Sequence, residues 1–370
     1  MIYFDNAATT FPKPDCVYEA INEGMKKYSF NAGRGGYRFA SDTHKMIMNT
    51  REKIAEFAGA EADSVVFTSS ATESINNIIY GLDFKENDNV YVSPFEHNAI
   101  MRTLKNISVK VHVIPFNKTT WEVDYLKLQD MFIINKPKAV IISHISNVTG
   151  FMLPYGEIFN LAKKYNAITV LDSAQGFGVY SVDKKNVDFL IFAGHKSLYA
   201  MFGIAGYINY NKIKISLYKV GGTGSDSLNL NMPEVFPYRY EAGSLNSVGI
   251  YSINKSLDFL KNDDFASKKH ALVSYFLEKI KDLSNIIIYL PKNYVSYGII
   301  SFNIEGYNAD DVGIILSEDF DICVRTGYHC APLVHDFIES NKFNGTVRVS
   351  FSGFNTYEEI DSLVEALEGI

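Results

Sequence analysis

Two short apolar runs constrain this chain more than anything else in it. One, Ala167 to Leu171, ends in Asp172-Ser173-Ala174-Gln175-Gly176; the other, Val187 to Phe192, ends in Ala193-Gly194-His195-Lys196. Apolar runs this short, bounded by glycine and charge, read as buried strands of a parallel sheet. Groups that act on a ligand sit beyond the carboxyl ends of such strands. The chain therefore brings an acid, Asp172, and an amine, Lys196, to one crevice, with Gln175 and His195 at the same two strand ends.

The same alternation runs through the first two thirds of the sequence. Strands are predicted at 65–68, 90–92, 111–114, 139–143 and 204–210, and helices at 15–28, 41–59, 75–80, 98–104, 125–131 and 154–165. Strand–helix alternation on this scale makes an α/β fold with a mostly parallel, doubly covered sheet. A helix at 248–260 follows. After Lys261-Asn262-Asp263-Asp264 the character changes. Helices at 265–283, 308–316 and from Thr356 onward mix with strands at 286–290, 298–304, 322–325 and 346–350, a second α+β unit. At 370 residues two domains are the prior. The expected division is a large domain over 15–250 and a small one made of 251–370 with the arm 1–14. Pro12 and Pro14 make that arm an ordered loop, not a helix.

Composition narrows the partners. The net charge of −7 disfavours nucleic acid and anionic membrane, which both need a basic face. No apolar run nears the ~20 residues of a membrane span. The start, Met1-Ile2-Tyr3-Phe4-Asp5, carries neither a basic n-region nor an apolar h-region, so a cytoplasmic location is expected. Three cysteines, Cys16, Cys323 and Cys330, are too few for a disulfide framework, and no Cys/His spacing resembles a zinc site.

An acid to hold a pyridinium nitrogen and a lysine to form a Schiff base are what pyridoxal phosphate needs. Either residue alone is an ordinary surface group; the pair at two strand ends carries more. The strand at 65–68 runs into Ser69-Ser70-Ala71-Thr72-Glu73-Ser74, a turn of small residues at a helix start. Such a turn either caps the helix or holds an anion on its backbone N–H groups, and both can hold at once. It lacks the glycine-rich fingerprints of nucleotide loops, which points to a small phosphate-bearing ligand. His97 lies just past a strand end, where its ring can stack on a planar cofactor or serve the core. Asn147 lies in another strand-end loop. Arg34 among three glycines, and the glycine-rich 220–225, are loops that a ligand can approach closely.

The second unit adds Arg325-Thr326-Gly327-Tyr328-His329-Cys330-Ala331-Pro332, a loop after a strand. With His329 beside it and Arg325 near it, Cys330 has the positive neighbours that favour a thiolate. Cys16 and Cys323 sit in helix and strand patterns and read as buried and inert. Arg348, inside a strand, is either solvated or a buried clamp for a carboxylate.

These motifs, taken in order, resemble the class V aminotransferase family in its cysteine desulfurase and selenocysteine lyase branch. The matching stretches are Tyr3-Phe4-Asp5-Asn6-Ala7-Ala8-Thr9-Thr10, Ala71-Thr72-Glu73, Asp172-Ser173-Ala174-Gln175, Gly194-His195-Lys196, Glu241-Ala242-Gly243, the cysteine loop 325–332, and Thr346-Val347-Arg348-Val349-Ser350. The resemblance implies a fold-type I pyridoxal phosphate enzyme, a homodimer, with a seven-stranded sheet in the large domain and a smaller α+β C-terminal domain. It implies Lys196 as the Schiff-base lysine and later proton carrier, Asp172 on the pyridinium nitrogen, His97 stacked on the ring and Gln175 at the phenolic oxygen. Ala71, Thr72 and His195 would hold the phosphate with Thr223 from the second subunit, and Asn147 would serve both cofactor and substrate. Ala7, Asn147, Arg34 and Arg348 would surround the substrate carboxylate. Cys330 would accept sulfur from L-cysteine, or selenium from L-selenocysteine, and pass it to a protein or small-thiol acceptor.

Two departures stand out. Ala193 replaces a hydroxyl residue common in relatives, removing one phosphate ligand, and Ala200-Met201 stands where Gly-Pro is common. Other reactions of the same cofactor (selenocysteine lysis, transamination, epimerisation) and a non-catalytic sulfur-relay protein are the alternatives. Cys330 speaks against a transaminase, which has no need of a loop thiol.

Overall fold

A computed structural model describes the chain except at Arg34, residues 225–227, Asn293 and Val295. The chain enters through β1 (Ile2–Tyr3) and then α1 (Asp15–Lys27) and α2 (Arg38–Ala58). The strand–helix alternation follows as β2 (Val65–Thr68), α3 (Ala71–Gly81), β3 (Asn89–Val92), α4 (Asn98–Asn106), β4 (Lys110–Val113), α5 (Tyr125–Ile134), β5 (Pro137–Ser143), α6 (Tyr155–Lys163), β6 (Ile168–Asp172), β7 (Phe189–Ala193) and β8 (Ala205–Asn209). Next come α7 (Ser247–Leu260), α8 (Phe265–Ile280), β9 (Ile286–Ile288), β10 (Ile299–Ile304), α9 (Ala309–Phe320), β11 (Ile322–Cys323) and β12 (Arg325–Gly327). The chain closes with α10 (Pro332–Phe337), β13 (Thr346–Ser350) and α11 (Tyr357–Glu368).

β2 to β8 form one seven-stranded sheet in the order β2-β8-β7-β6-β5-β3-β4. It is parallel except that β8 runs antiparallel to both β2 and β7. Strand residues alternate between two apolar layers. Val140, Ile142, Leu171, Leu190 and Phe192 join one layer with α2, α6 and α7. Ala139, Ile141, Val170, Phe189 and Ile191 join the other with α3 and α4. The period of two carries the strand ends onto the second face. Ser143, Asp172 and Ala193 follow in the same parity as Ile141, Val170 and Ile191, so they look toward α3 and α4.

The second sheet is antiparallel, β12-β13-β10-β9. Ile300, Phe302, Ile304, Val347 and Val349 face α8, α9 and α11 in its own core. Parity then turns Arg348 the other way, toward the large sheet. The N-terminal arm belongs to this side: β1 pairs in parallel with β11, and Phe4 is buried in the same core.

Several local predictions needed correction. α3 starts at Ala71 rather than 75, because Ser70 caps it by accepting from the Glu73 N–H at 3.1 Å. α2 starts at Arg38 rather than 41. The single strand expected at 322–325 is two: Ile322–Cys323 joins β1, and Arg325–Gly327 joins β13. The arm carries a strand, and Pro332 opens a short helix, as suits proline in a first turn.

Arg51 and Glu241 form a bidentate pair at 2.8 and 2.9 Å, both buried, tying α2 to the segment before α7. Glu241 also accepts from the Phe67 N–H of β2 at 2.7 Å. Glu241→Ala leaves a buried guanidinium unpaired, and we expect a loss of about 3–5 kcal/mol. Urea denaturation checks this; an unchanged midpoint contradicts it.

Candidate active site

The sheet ends and the starts of two helices meet at one cavity of about 110 Å³, lined by Ala71, Thr72, His97, Asn147, Asp172, Gln175, Ala193, His195 and Lys196. The sequence placed these residues as far apart as 71 and 196, and the fold brings them together. Helix geometry leaves the first N–H groups of α3, on Ala71 and Thr72, without intrahelical partners. They sit at the positive end of the helix dipole.

Asp172 is buried, and burial raises its pKa while the Ala174 N–H, at 3.0 Å from Oδ1, and Lys196 oppose that shift. Lys196 is half-buried, and its pKa is lowered, first by desolvation. His97 caps α4 by accepting on Nδ1 from the Ala99 N–H at 3.0 Å. Burial and the Lys196 charge lower its pKa to about 4, so the ring is neutral at physiological pH. His195 is likewise lowered to about 4; its Nδ1 is buried with no hydrogen-bond partner among the described residues, and its ring stacks on Phe202. Gln175 Nε2 donates to the Ala7 carbonyl at 2.8 Å, which brings the N-terminal arm against the cavity.

The cysteine loop is fastened to this cavity at two points. The Asn98 N–H donates to the Cys330 carbonyl at 2.6 Å, and Asn147 Nδ2 donates to the His329 carbonyl at 2.7 Å. His329 and Cys330 are both left-handed, with φ of 47° and 56°, a run uncommon outside glycine. Cys330 is exposed, whereas Cys16 and Cys323 are half-buried. One expectation fails here. His329 is not a positive neighbour of the thiol, because it is buried, bonded through Nε2 to Thr346, and held well below its ordinary pKa by desolvation and Arg348.

Arg348 is buried. Its Nη2 pairs with Asp5 at 2.6 Å and its Nη1 donates to the Asn147 carbonyl at 2.8 Å. Arg325 lies 3.8 Å from the other Asp5 oxygen. Of the remaining sequence candidates, Thr223 lies away from the Lys196 cavity, on a second cavity with Gly33, Arg51 and Glu241. Arg34 lies outside the described residues.

Residues 2–363 match the family model for aminotransferase class-V. The chain belongs to the class V aminotransferase family. It is 33 % identical over 382 residues to a probable cysteine desulfurase of Methanothermobacter thermautotrophicus, covering 100 % of this chain and 94 % of that one. A cysteine desulfurase of Wigglesworthia glossinidia brevipalpis is 30 % identical over 389 residues, covering 99 % of this chain and 92 % of the relative. Among solved structures, the apo cysteine desulfurase from Thermococcus onnurineus NA1 matches with a TM-score of 0.90 at 30 % identity, over 100 % of this chain and 94 % of that one. The architecture is the fold-type I arrangement of this family.

Class V aminotransferases use pyridoxal phosphate, and the cavity fits that group. It holds a buried acid, a half-buried amine, a helix start whose first N–H groups have no intrahelical partner, and the unpartnered Nδ1 of His195. Ala193 lies on its wall without a hydroxyl to offer. Ala200 is buried, its N–H bonded to the Gly194 carbonyl at 2.8 Å, so the loop after Lys196 closes without Gly-Pro.

Sequence reasoning passed over three residues. Asp5 was read only as part of a matching stretch, Glu96 is buried beside His97, and Lys269 is buried behind Gln175. Glu96 accepts from Ser93 and Ser143, and burial raises its pKa to about 7. A charged residue next to a strand end carries no burial signal in sequence. Lys269 shares a small cavity with Ala7 and Gln175, makes no ion pair among the described residues, and lies 5.5 Å from the Tyr180 ring. Burial lowers its pKa from 10.5 to about 8. Protons therefore bind the unfolded chain more strongly between those values, and stability rises with pH from about 8 to 10.5. We expect Lys269→Met to raise stability at pH 7 by up to about 3 kcal/mol and the gain to shrink toward pH 10.5. Denaturation at both pH values checks it; an equal effect at each contradicts it.

Proposed function

We propose that this chain is a pyridoxal phosphate-dependent cysteine desulfurase, converting L-cysteine to L-alanine and leaving the sulfur as a persulfide on Cys330. The observation that carries this reading is the fastening of the cysteine loop to Asn98, next to His97, and to Asn147, both at the Lys196 cavity. A transaminase has no use for an exposed thiol held there.

In this reading Lys196 holds the cofactor, with Asp172 at the pyridinium nitrogen, His97 over the ring and Gln175 at the phenolic oxygen. Ala71, Thr72 and His195 hold the phosphate. When bound, pyridoxal phosphate supplies a sink for the electron pair left at Cα. Arg348, Asn147 and Ala7 orient the substrate carboxylate end. Lys196 Nζ, its pKa lowered by burial, takes the Cα proton as general base. The Cys330 thiolate attacks the substrate sulfur; the Cβ–S bond breaks, its electron pair stays with carbon, and protonation there gives alanine. His97, neutral with Nε2 unused by its cap, or Lys196 carries the later protons.

The rest of the reading follows from the same site. A large domain over 15–250 supplies the cofactor side, and 1–14 with 251–370 supply Arg348 and Cys330. A homodimer is supported by Thr223, which lies outside its own chain's Lys196 cavity, and by fully exposed Leu228 and Leu230 in the same connection. The persulfide passes to a protein or small-thiol acceptor in a reducing, cytoplasmic setting. L-selenocysteine is the alternative substrate at the same site.

The test is purified protein with pyridoxal phosphate and L-cysteine, measuring alanine and sulfide with and without reductant. We expect alanine from the wild type, absorbance near the visible edge that Lys196→Ala abolishes, and at least a 100-fold loss of sulfur transfer in Cys330→Ser. No alanine from the wild type sinks the desulfurase reading, and full turnover in Cys330→Ser sinks the role of that thiol.

A further inference from the structure

Arg348 faces a carboxylate of this chain's own. Its guanidinium is 2 % exposed, and Asp5 Oδ1 sits 2.6 Å from Nη2. Asp5 itself is 19 % exposed, so the pair is reached from solvent. Nη1 is spent on the Asn147 carbonyl, and Nε is buried with no partner among the described residues. Arg325 lies 3.8 Å from the second Asp5 oxygen. Two guanidinium cations thus share one carboxylate, and Asp5 is the one acidic partner that either has among the described residues.

Asp5 arrives by a route that has nothing to do with this charge. β1 pairs with β11, Phe4 fills the small core, and Asp5 bridges to Ser350. Two of the arm's backbone links, the Ser350 N–H to the Phe4 carbonyl and the Ala7 N–H to Ser350 Oγ, hold the arm without the Asp5 carboxylate. Its charge is free to serve Arg348.

We propose that Asp5 is a resident carboxylate that keeps Arg348 paired while the site is empty and competes with an incoming α-carboxylate. It sets the affinity of Arg348 for any incoming carboxylate, resting on the reading of Arg348 as the substrate-carboxylate group. A ligand with a carboxylate alone shares the guanidinium with Asp5 and binds poorly. A ligand also held through its amino group gains a second anchor and is accepted. The competition lowers the affinity of Arg348 for every carboxylate, so only a ligand with a second anchor binds well at modest concentration.

Removing the Asp5 charge leaves a buried cation short of a partner, which destabilises a fold unless another anion takes the place. A ligand that binds only the folded state raises its stability by mass action. The experiment is thermal unfolding of cofactor-loaded wild type, Asp5→Asn and Ser350→Ala, each with sodium acetate titrated against sodium chloride at equal ionic strength. KM and kcat for L-cysteine are measured with acetate as competitor. We expect Asp5→Asn to unfold at lower temperature in chloride, to recover most of the difference in acetate, and to be inhibited by acetate at concentrations at least tenfold below those needed for wild type. Ser350→Ala, which loosens the arm and keeps the charge, should lose stability without acetate-specific recovery.

Equal acetate response in wild type and Asp5→Asn overturns the proposal, as does a variant that stays unfolded in acetate. Acetate recovery is read without turnover. Absence of alanine from wild type would therefore remove the desulfurase reading while leaving the pairing of Asp5 with Arg348 separately decided.

Discussion

A buried guanidinium in a strand needs an anionic or carbonyl partner, and the structure around Arg348 follows from that need. One side takes Asp5 from the N-terminal arm, another takes the Asn147 carbonyl from the loop after β5. Asn147 in turn holds the backbone of the cysteine loop at His329. One side chain therefore joins the first residues of the chain, a loop of the large sheet and the strand beside the thiol. Burying such a charge is costly unless its partners are placed well, so the three segments have little freedom to separate.

The cavity depends on a different constraint, the period of two in the parallel strands. Leu171 and Leu190 point to one apolar layer, and Val170 and Ile191 to the other. That alternation sends Asp172, Ser143 and Ala193 to the face where α3 and α4 begin. The helix starts bring backbone donors at Ala71 and Thr72 and the His97 ring to the same place. Desolvation then sets the protonation: His97 and His195 are neutral, and Lys196 has its proton affinity lowered. A neutral ring, a half-buried amine and a buried acid line this one cavity and differ in the protons they hold.

The exposure of Cys330 is legible in the sequence, whereas the charge of its neighbour His329 is not. The thiol's exposure on a loop follows from Gly327 and Pro332, both visible in sequence. The charge of His329 is not, because a histidine beside a cysteine can face solvent or the interior, and here it is buried against Thr346, on the side of β13 that Arg348 shares. Adjacency along a chain says nothing about which neighbour keeps its proton. Likewise the strand expected at 322–325 splits between two sheets, since apolar content marks a strand but not the partner it pairs with.

What the sequence determined by itself is the alternation of strand and helix, the acid and the lysine at two strand ends, the capped turn at Ser70 and the loop cysteine. These are local: periodicity, capping and strand-end polarity depend on residues a few positions apart. Tertiary structure alone decided which distant groups meet. It brought Cys330 to Asn98, His329 to Asn147, Gln175 to Ala7, and Asp5 to Arg348, across separations of up to 343 residues. Strand parity and the pairing of the arm with the second sheet impose those meetings, and neither is written in any single stretch of the chain.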